Sequence, residues 1–222
     1  MYVDTHSLIL FIHVLLFGYW LGADLGVFFC DSQMIRADLD IEERMRVRRI
    51  RYKVDMAPRT CVVLILGFGF TLALQFGSPL HGGLLALVWI ACLIWLALIF
   101  GGRFHPNLDL RRRLGRIDRG VWVLVGAVMI GFGLYNAFGG PIADRWLAYK
   151  IIIFGVIAWN GIWIMRVGDR WYPLIDMVRA GGEEKIRGEA LMRTNRKWAA
   201  TAAGVLWFLV LLMAFLGTTK PF

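Results

Sequence analysis

The sequence predicts an all-α fold, a polytopic transmembrane helix bundle of about six spanning helices with both termini on the non-cytoplasmic side. Three observations carry that prediction. Hydrophobic residues make up 59% of the 222-residue chain, more than the roughly half expected of a soluble domain, and mean hydropathy is +0.62. The apolar residues gather in six stretches, about 7–30, 56–76, 83–102, 121–138, 146–166 and 198–216. Each approaches the ~20 residues that cross a bilayer as a helix, and a helix satisfies its own backbone where lipid cannot. Finally, the basic residues are segregated: the ranges 31–59, 103–119 and 166–197 hold 22 of the 25 Lys and Arg, and only Arg145, Lys150 and Lys220 fall on the other side. The positive-inside bias therefore assigns 31–55, 103–120 and 167–197 to the cytoplasm.

The whole chain, 1–222, reads as one transmembrane domain with no soluble module. Its first apolar stretch has no basic leader and no A-x-A site, so it reads as a retained helix rather than a signal peptide. Within 31–55, the run Leu39-Asp40-Ile41-Glu42-Glu43-Arg44 predicts a short amphipathic cytoplasmic helix. Gly181-Gly182 opens a charged, helix-prone run to Arg196. The opposite turns, 77–83 and 139–141, are short and rich in Gly and Pro. They make the second and third spanning helices antiparallel neighbours, and likewise the fourth and fifth. A bacterial inner membrane is the expected location. The pI of about 9.9 follows from the topology and does not point to nucleic acid; the basic segments suit anionic lipid headgroups. Cys30, Cys61 and Cys92 fall one per helix in the first three helices, which predicts free, packing thiols rather than a disulfide framework or a zinc site.

The first helix carries the most chemistry. At 100° per residue, His13, Trp20, Asp24 and Asp31 share one face, while Gly18, Gly22 and Gly26 lie opposite. The glycines predict a strip for close packing of another helix. Asp24 falls roughly 10 Å inside the cytoplasmic end, counted at about 1.5 Å per residue. An ionisable group at that depth needs a partner. Arg59 on the second spanning helix is the expected one, with Asp55 one turn before it as a second partner; this ion cluster serves as a structural clamp or as a relay. His13 lies a similar distance inside the outer end. It is a hydrogen-bonded core residue or a metal ligand. Lys150 sits at matching depth on the fifth helix and either approaches His13 or snorkels to headgroups. His6, His81 and His105 are terminal, in the outer turn and on the cytoplasmic side.

These residues resemble a known family. His13-Val-Leu-Leu-Phe-Gly-Tyr-Trp20-Leu-Gly22 resembles the first helix of CopD/HemJ-like membrane proteins. Asp55-Met56-Ala57-Pro58, with Thr60 and Gly67, is similar to the second-helix opening of HemJ-type protoporphyrinogen oxidases. Trp146-Leu147-Ala148-Tyr149-Lys150 and the terminal Lys220-Pro221-Phe222 resemble their Trp-Leu-x-x-Lys start and Lys-Pro-Phe ending. The resemblance spans about half of the chain. The third and fourth helices are extra to the four-helix HemJ pattern, and Asn160 stands where a His is expected. The resemblance implies a haem b site with His13 as iron ligand. Lys150 is then a second ligand or a carboxylate anchor, and Trp20 and Phe17 wall the macrocycle.

The functional expectation is a haem b-binding redox or electron-transfer protein that passes electrons to quinone or to a partner protein, since the chain has no nucleotide-binding fingerprint. Copper transport is one alternative, against which the nine Met form no M-x-x-x-M face. A non-catalytic membrane anchor or assembly factor, with basic loops that dock a partner, is the other. The sequence does not specify an oligomeric state.

Overall fold

In a computed structural model, which describes residues 4–221, the chain is helical almost throughout. The elements are α1 (Thr5–Met34), α2 (Ile41–Val54), α3 (Met56–Ala73) with a 3₁₀ turn at Leu74–Phe76, α4 (Gly83–Phe104), α5 (Leu108–Ala137), α6 (Arg145–Asp169), α7 (Trp171–Ala180) and α8 (Gly182–Thr219). Among the described residues, six helical stretches are long and apolar enough to cross a membrane: α1, α2–α3, α4, α5, α6–α7 and α8. The protein is therefore a multi-pass membrane protein. Phe222, the last residue of the Lys-Pro-Phe ending, lies outside the described residues.

The spanning helices follow one another around a ring in the order α1, α3, α4, α5, α6, α8, and α8 closes against α1. The helices α3 and α6 face each other across the middle without extended backbone contact. Side chains and cavities fill that centre. The main core joins Trp20, Val62, Val63, Trp95, Trp122, Ile157 and Val210 from all six sides. At the arginine-rich end, α2 and α7 form a second layer over the ring. The buried residues of α7 are Trp171, Leu174, Ile175 and Val178, the i, i+3, i+4, i+7 stripe of an amphipathic helix. They pack with Met34 and Met192 into a separate small core.

The three basic segments are mostly helix rather than loop. Asp40 caps α2 by accepting from the Glu43 amide at 2.8 Å. Asn107 caps α5 by accepting from the amides of Asp109 and Leu110 at 2.9 and 3.1 Å. Such caps satisfy amides that a helix start leaves open, so helix can begin inside sequence that hydropathy alone reads as loop. The polar run from Gly182 and the last spanning segment form one unbroken helix of 38 residues.

The glycine strip of α1 does not serve as predicted. A Cβ at Gly18 or Gly22 would meet nothing within 4 Å, and only Gly26 approaches a neighbour, Val54, at 3.3 Å. Close glycine packing occurs instead between α5 and α6. A Cβ at Gly155 would lie 2.7 Å from the Gly126 carbonyl oxygen and 2.9 Å from the Ile130 nitrogen, and one at Gly133 would lie 2.9 Å from the Ala148 oxygen. Backbones that approach so closely leave no room for a methyl. Cys30, Cys61 and Cys92 are free thiols.

Gly155→Ala is therefore expected to lower stability by about 1–3 kcal/mol through overpacking, whereas Gly22→Ala should be close to neutral. Thermal unfolding of both variants in detergent checks the contrast; equal midpoints would refute the packing assignment.

Candidate functional site

A cavity of about 460 Å³ opens inside the ring at the end where His13 lies. That volume falls in the range of small-molecule sites, about 300–1,000 Å³. His13 from α1 and Lys150 from α6 both line it. Helix depth alone brought them to one level, and the ring places their helices on either side of α8. His13 sits against Gly69 of α3, where a Cβ would stand 3.3 Å from Cε1 of the ring. Its Nδ1 is buried and makes no hydrogen bond. Lys150 reaches toward α8, where a Cβ at Gly217 would lie 2.5 Å from its Nζ. Gly217 thus makes room for the ammonium group.

Four further polar residues line the cavity that the sequence did not assign to a site: His6, Gln75, Thr218 and Lys220. His6 and His13 are seven residues apart, two turns on one face of α1, which was the available signal for the first. Lys220, in a left-handed conformation just past α8, lies over the rings of Phe76 and Trp146, 4.8 and 5.7 Å from their centroids. The apolar wall includes Phe70, Phe154, Met129 and Met213. No Asp or Glu lines the cavity, and neither Lys150 nor Lys220 forms an ion pair among the described residues.

Two predicted wall residues are elsewhere. Trp20 is buried and lines a separate small cavity nearer the middle of the bundle, and Phe17 packs on the main core. Trp20 is two turns from His13, about 10 Å along the helix at 1.5 Å per residue, and the large cavity ends before it. Phe76 and Trp146 take the wall position instead. Trp146 is 5% exposed and turned inward. Asn160 is buried and donates to the Ala202 carbonyl at 3.0 Å, tying α6 to α8 outside the cavity.

The ion cluster also differs from its prediction. Arg59 pairs with Asp55, its expected second partner, at 2.8 Å, and not with Asp24. Asp55 also takes Arg103 of α4 at 3.3 Å. Asp24 instead accepts the indole N–H of Trp207 on α8 at 2.8 Å. The three predicted residues still meet around one small cavity, of about 60 Å³. Asp55 lies one turn before Arg59 on the same face, so it competes for the guanidinium more easily than a carboxylate on another helix. Two buried pairs were missed: Asp31 with Arg51, joining α1 to α2, and Arg44 with Glu189 at 2.7 Å, joining α2 to α8. Asp118 of α5 accepts the indole N–H of Trp95 at 2.9 Å. Among the described residues, no group of three His, Cys, Asp or Glu is arranged to hold a metal ion.

Comparison with protein-family models, with curated proteins and with solved structures finds no match to this chain.

The two carboxylates are expected to respond differently to neutralisation. Asp24→Asn keeps an acceptor for Trp207 and should change stability by less than about 1 kcal/mol. Asp55→Asn leaves two half-buried arginines without their carboxylate and should lose more, up to about 3–5 kcal/mol. Denaturation of the purified variants checks this; a smaller loss for Asp55→Asn than for Asp24→Asn would reverse the assignment of roles.

Proposed function

We propose that this protein is a haem b-binding membrane protein of CopD/HemJ-like type with a redox or electron-transfer role, and that the cavity at the His13 end holds the haem. One observation carries the reading: a buried, unpartnered imidazole nitrogen beside two ammonium groups, with no Asp or Glu on the same cavity wall among the described residues. Leaving a buried polar atom unsatisfied is destabilising by about 1–3 kcal/mol. Two cations without an acidic partner among the described residues favour an anionic occupant. An aromatic, apolar wall favours one with a large flat body. Haem b combines an iron that takes a nitrogen ligand, an apolar macrocycle and two carboxylates.

In this reading His13 offers the iron a nitrogen. Lys150 or Lys220 pairs with a propionate, or Lys150 provides the second ligand. Phe70, Phe76, Trp146 and Phe154 exclude water from the macrocycle. Gly69 and Gly217 allow His13 and Lys150 to lie close against α3 and α8. Bound haem supplies one-electron chemistry at a potential set by its axial ligands and its burial. Quinone or a partner protein is the electron acceptor that suits a chain without a nucleotide-binding fingerprint. The distribution of Lys and Arg supports an orientation with the His13 end on the non-cytoplasmic side of a bacterial inner membrane.

Copper transport is the second reading, favoured by Met129 and Met213 lining the same cavity as His6 and His13. Thioether and imidazole suit Cu(I). The two lysines count against it, because they repel a bare cation.

Purification in mild detergent, with visible spectra before and after reduction and metal analysis, tests both. Haem binding predicts a Soret band that His13→Ala removes. Lys150→Gln lowers haem content at an unchanged band position if Lys150 pairs with a propionate, and moves the band if it ligates iron. Bound copper without a chromophore would replace the first reading by the second. Neither chromophore nor copper would defeat both and favour a membrane anchor or assembly factor.

A further inference from the structure

A second cavity, about 220 Å³, lies at the opposite end of the ring, roofed by α2 and α7. Its wall carries five arginines, Arg48, Arg51, Arg59, Arg103 and Arg119, against three acids, Asp55, Asp118 and Asp169. Topology explains why arginine is plentiful at this end, but not why so many converge on one space. Three of the five are matched. Arg51 is held by Asp31 from outside the cavity, Arg59 by Asp55, and Arg119 by Asp169 at 3.1 Å.

Of the remaining two, one has no carboxylate and the other only a shared one. Arg48 of α2 has no carboxylate partner among the described residues and lies over the ring of Tyr172, 4.1 Å from its centroid. Arg103 of α4 shares Asp55 with Arg59, donates to the Tyr52 carbonyl at 2.6 Å and stacks on the Tyr52 ring. Its Nε is buried and has no partner. Two guanidinium groups from different helices, each backed by a tyrosine ring, thus line one space with more arginines than carboxylates. A stacked guanidinium is oriented, so its free donors stay aimed. Asp118, the one acid not paired with a cavity arginine, is already occupied by the Trp95 indole.

We infer that this cavity binds a phosphate group, the anion whose several oxygens can take N–H donors from Arg48 on α2 and Arg103 on α4 together. Guanidinium forks bind phosphate oxygens in pairs. The space exceeds the ~30 Å³ share of one water severalfold, so a phosphate fits with part of its hydration. The group arrives either on an anionic phospholipid, whose headgroup enters between helices at this level, or as free phosphate. The site is independent of the His13 cavity and needs no haem.

Thermal unfolding of the full chain, delipidated in the phosphate-free detergent dodecyl maltoside, tests the inference. One arm adds phosphatidylglycerol to the micelles, and the other adds millimolar inorganic phosphate. A saturating occupant is expected to raise the unfolding midpoint by about 5 °C or more. A rise with phosphatidylglycerol alone assigns the phosphate to lipid, and a rise with inorganic phosphate assigns it to a soluble source. Arg48→Gln and Arg103→Gln should each abolish the rise. Arg49→Gln removes a neighbouring exposed charge that does not line the cavity, and should keep it. Arg48 is only partly buried, so its variant decides the matter if Arg103→Gln fails to fold. No rise in either arm, a rise retained in Arg48→Gln, or an equal loss in Arg49→Gln would overturn the inference.

Discussion

Hydrocarbon offers no hydrogen bonds, so each charge carried into a spanning helix must find its partner in the protein. The arrangement of this chain follows from how those partners are met. Asp55 sits at the junction of α2 and α3 and holds Arg59 and Arg103 at once. It thereby fixes α4 against the start of α3. Asp31 with Arg51, and Arg44 with Glu189, draw the polar helix α2 down onto α1 and α8. Without them α2 would have little reason to cover the ring, since its only buried residue is Arg44 itself. Buried pairs of this kind are weak sources of net stability. Their contribution is specificity, because each admits one mutual placement of its two helices.

The same constraint shapes the space inside. Six helices that meet only their ring neighbours leave a centre too wide for backbone contact and too varied in polarity for one continuous core. The outcome is a large cavity at the His13 end, a small one beside Asp24 and Arg59, and a cationic one beneath α2. Between the first two lie Ile65 and Phe154 on one side and Val62 and Ile157 on the other, all apolar. Each end therefore presents its own chemistry, and a hydrophobic layer separates them.

Sequence periodicity located the spans, the level of His13 and Lys150, and the inward face of α1, because each follows from counting along a single helix. What it could not resolve were choices between helices. The partner of Asp24 is Trp207, more than 180 residues away, and nothing in the local spacing distinguishes that indole from Arg59. Trp20 shares the face of His13 but not its depth, so it misses the cavity. The glycines of α1 have the familiar four-residue spacing yet face outward, whereas Gly126 and Gly133, seven apart, make the closest helix contact with α6. Their spacing was a legible sign of a packing face. Lys220 and His6 lie beyond the apolar core of their helices, where hydropathy gives no signal about direction.

The unbroken length of α8 has one more implication. With 38 residues and no proline, it runs about 57 Å at 1.5 Å per residue. It is tied near its start by Glu189 to Arg44, and along its course by Asn195 to Val167, by Ala202 to Asn160 and by Trp207 to Asp24. At its far end Gly217 lies against Lys150. A continuous helix cannot absorb a shift along its axis by bending at a joint. The cover formed by α2 and α7 and the lysine of the opposite chamber are thus attached to a single rod, and a sliding of one end is a sliding of the other.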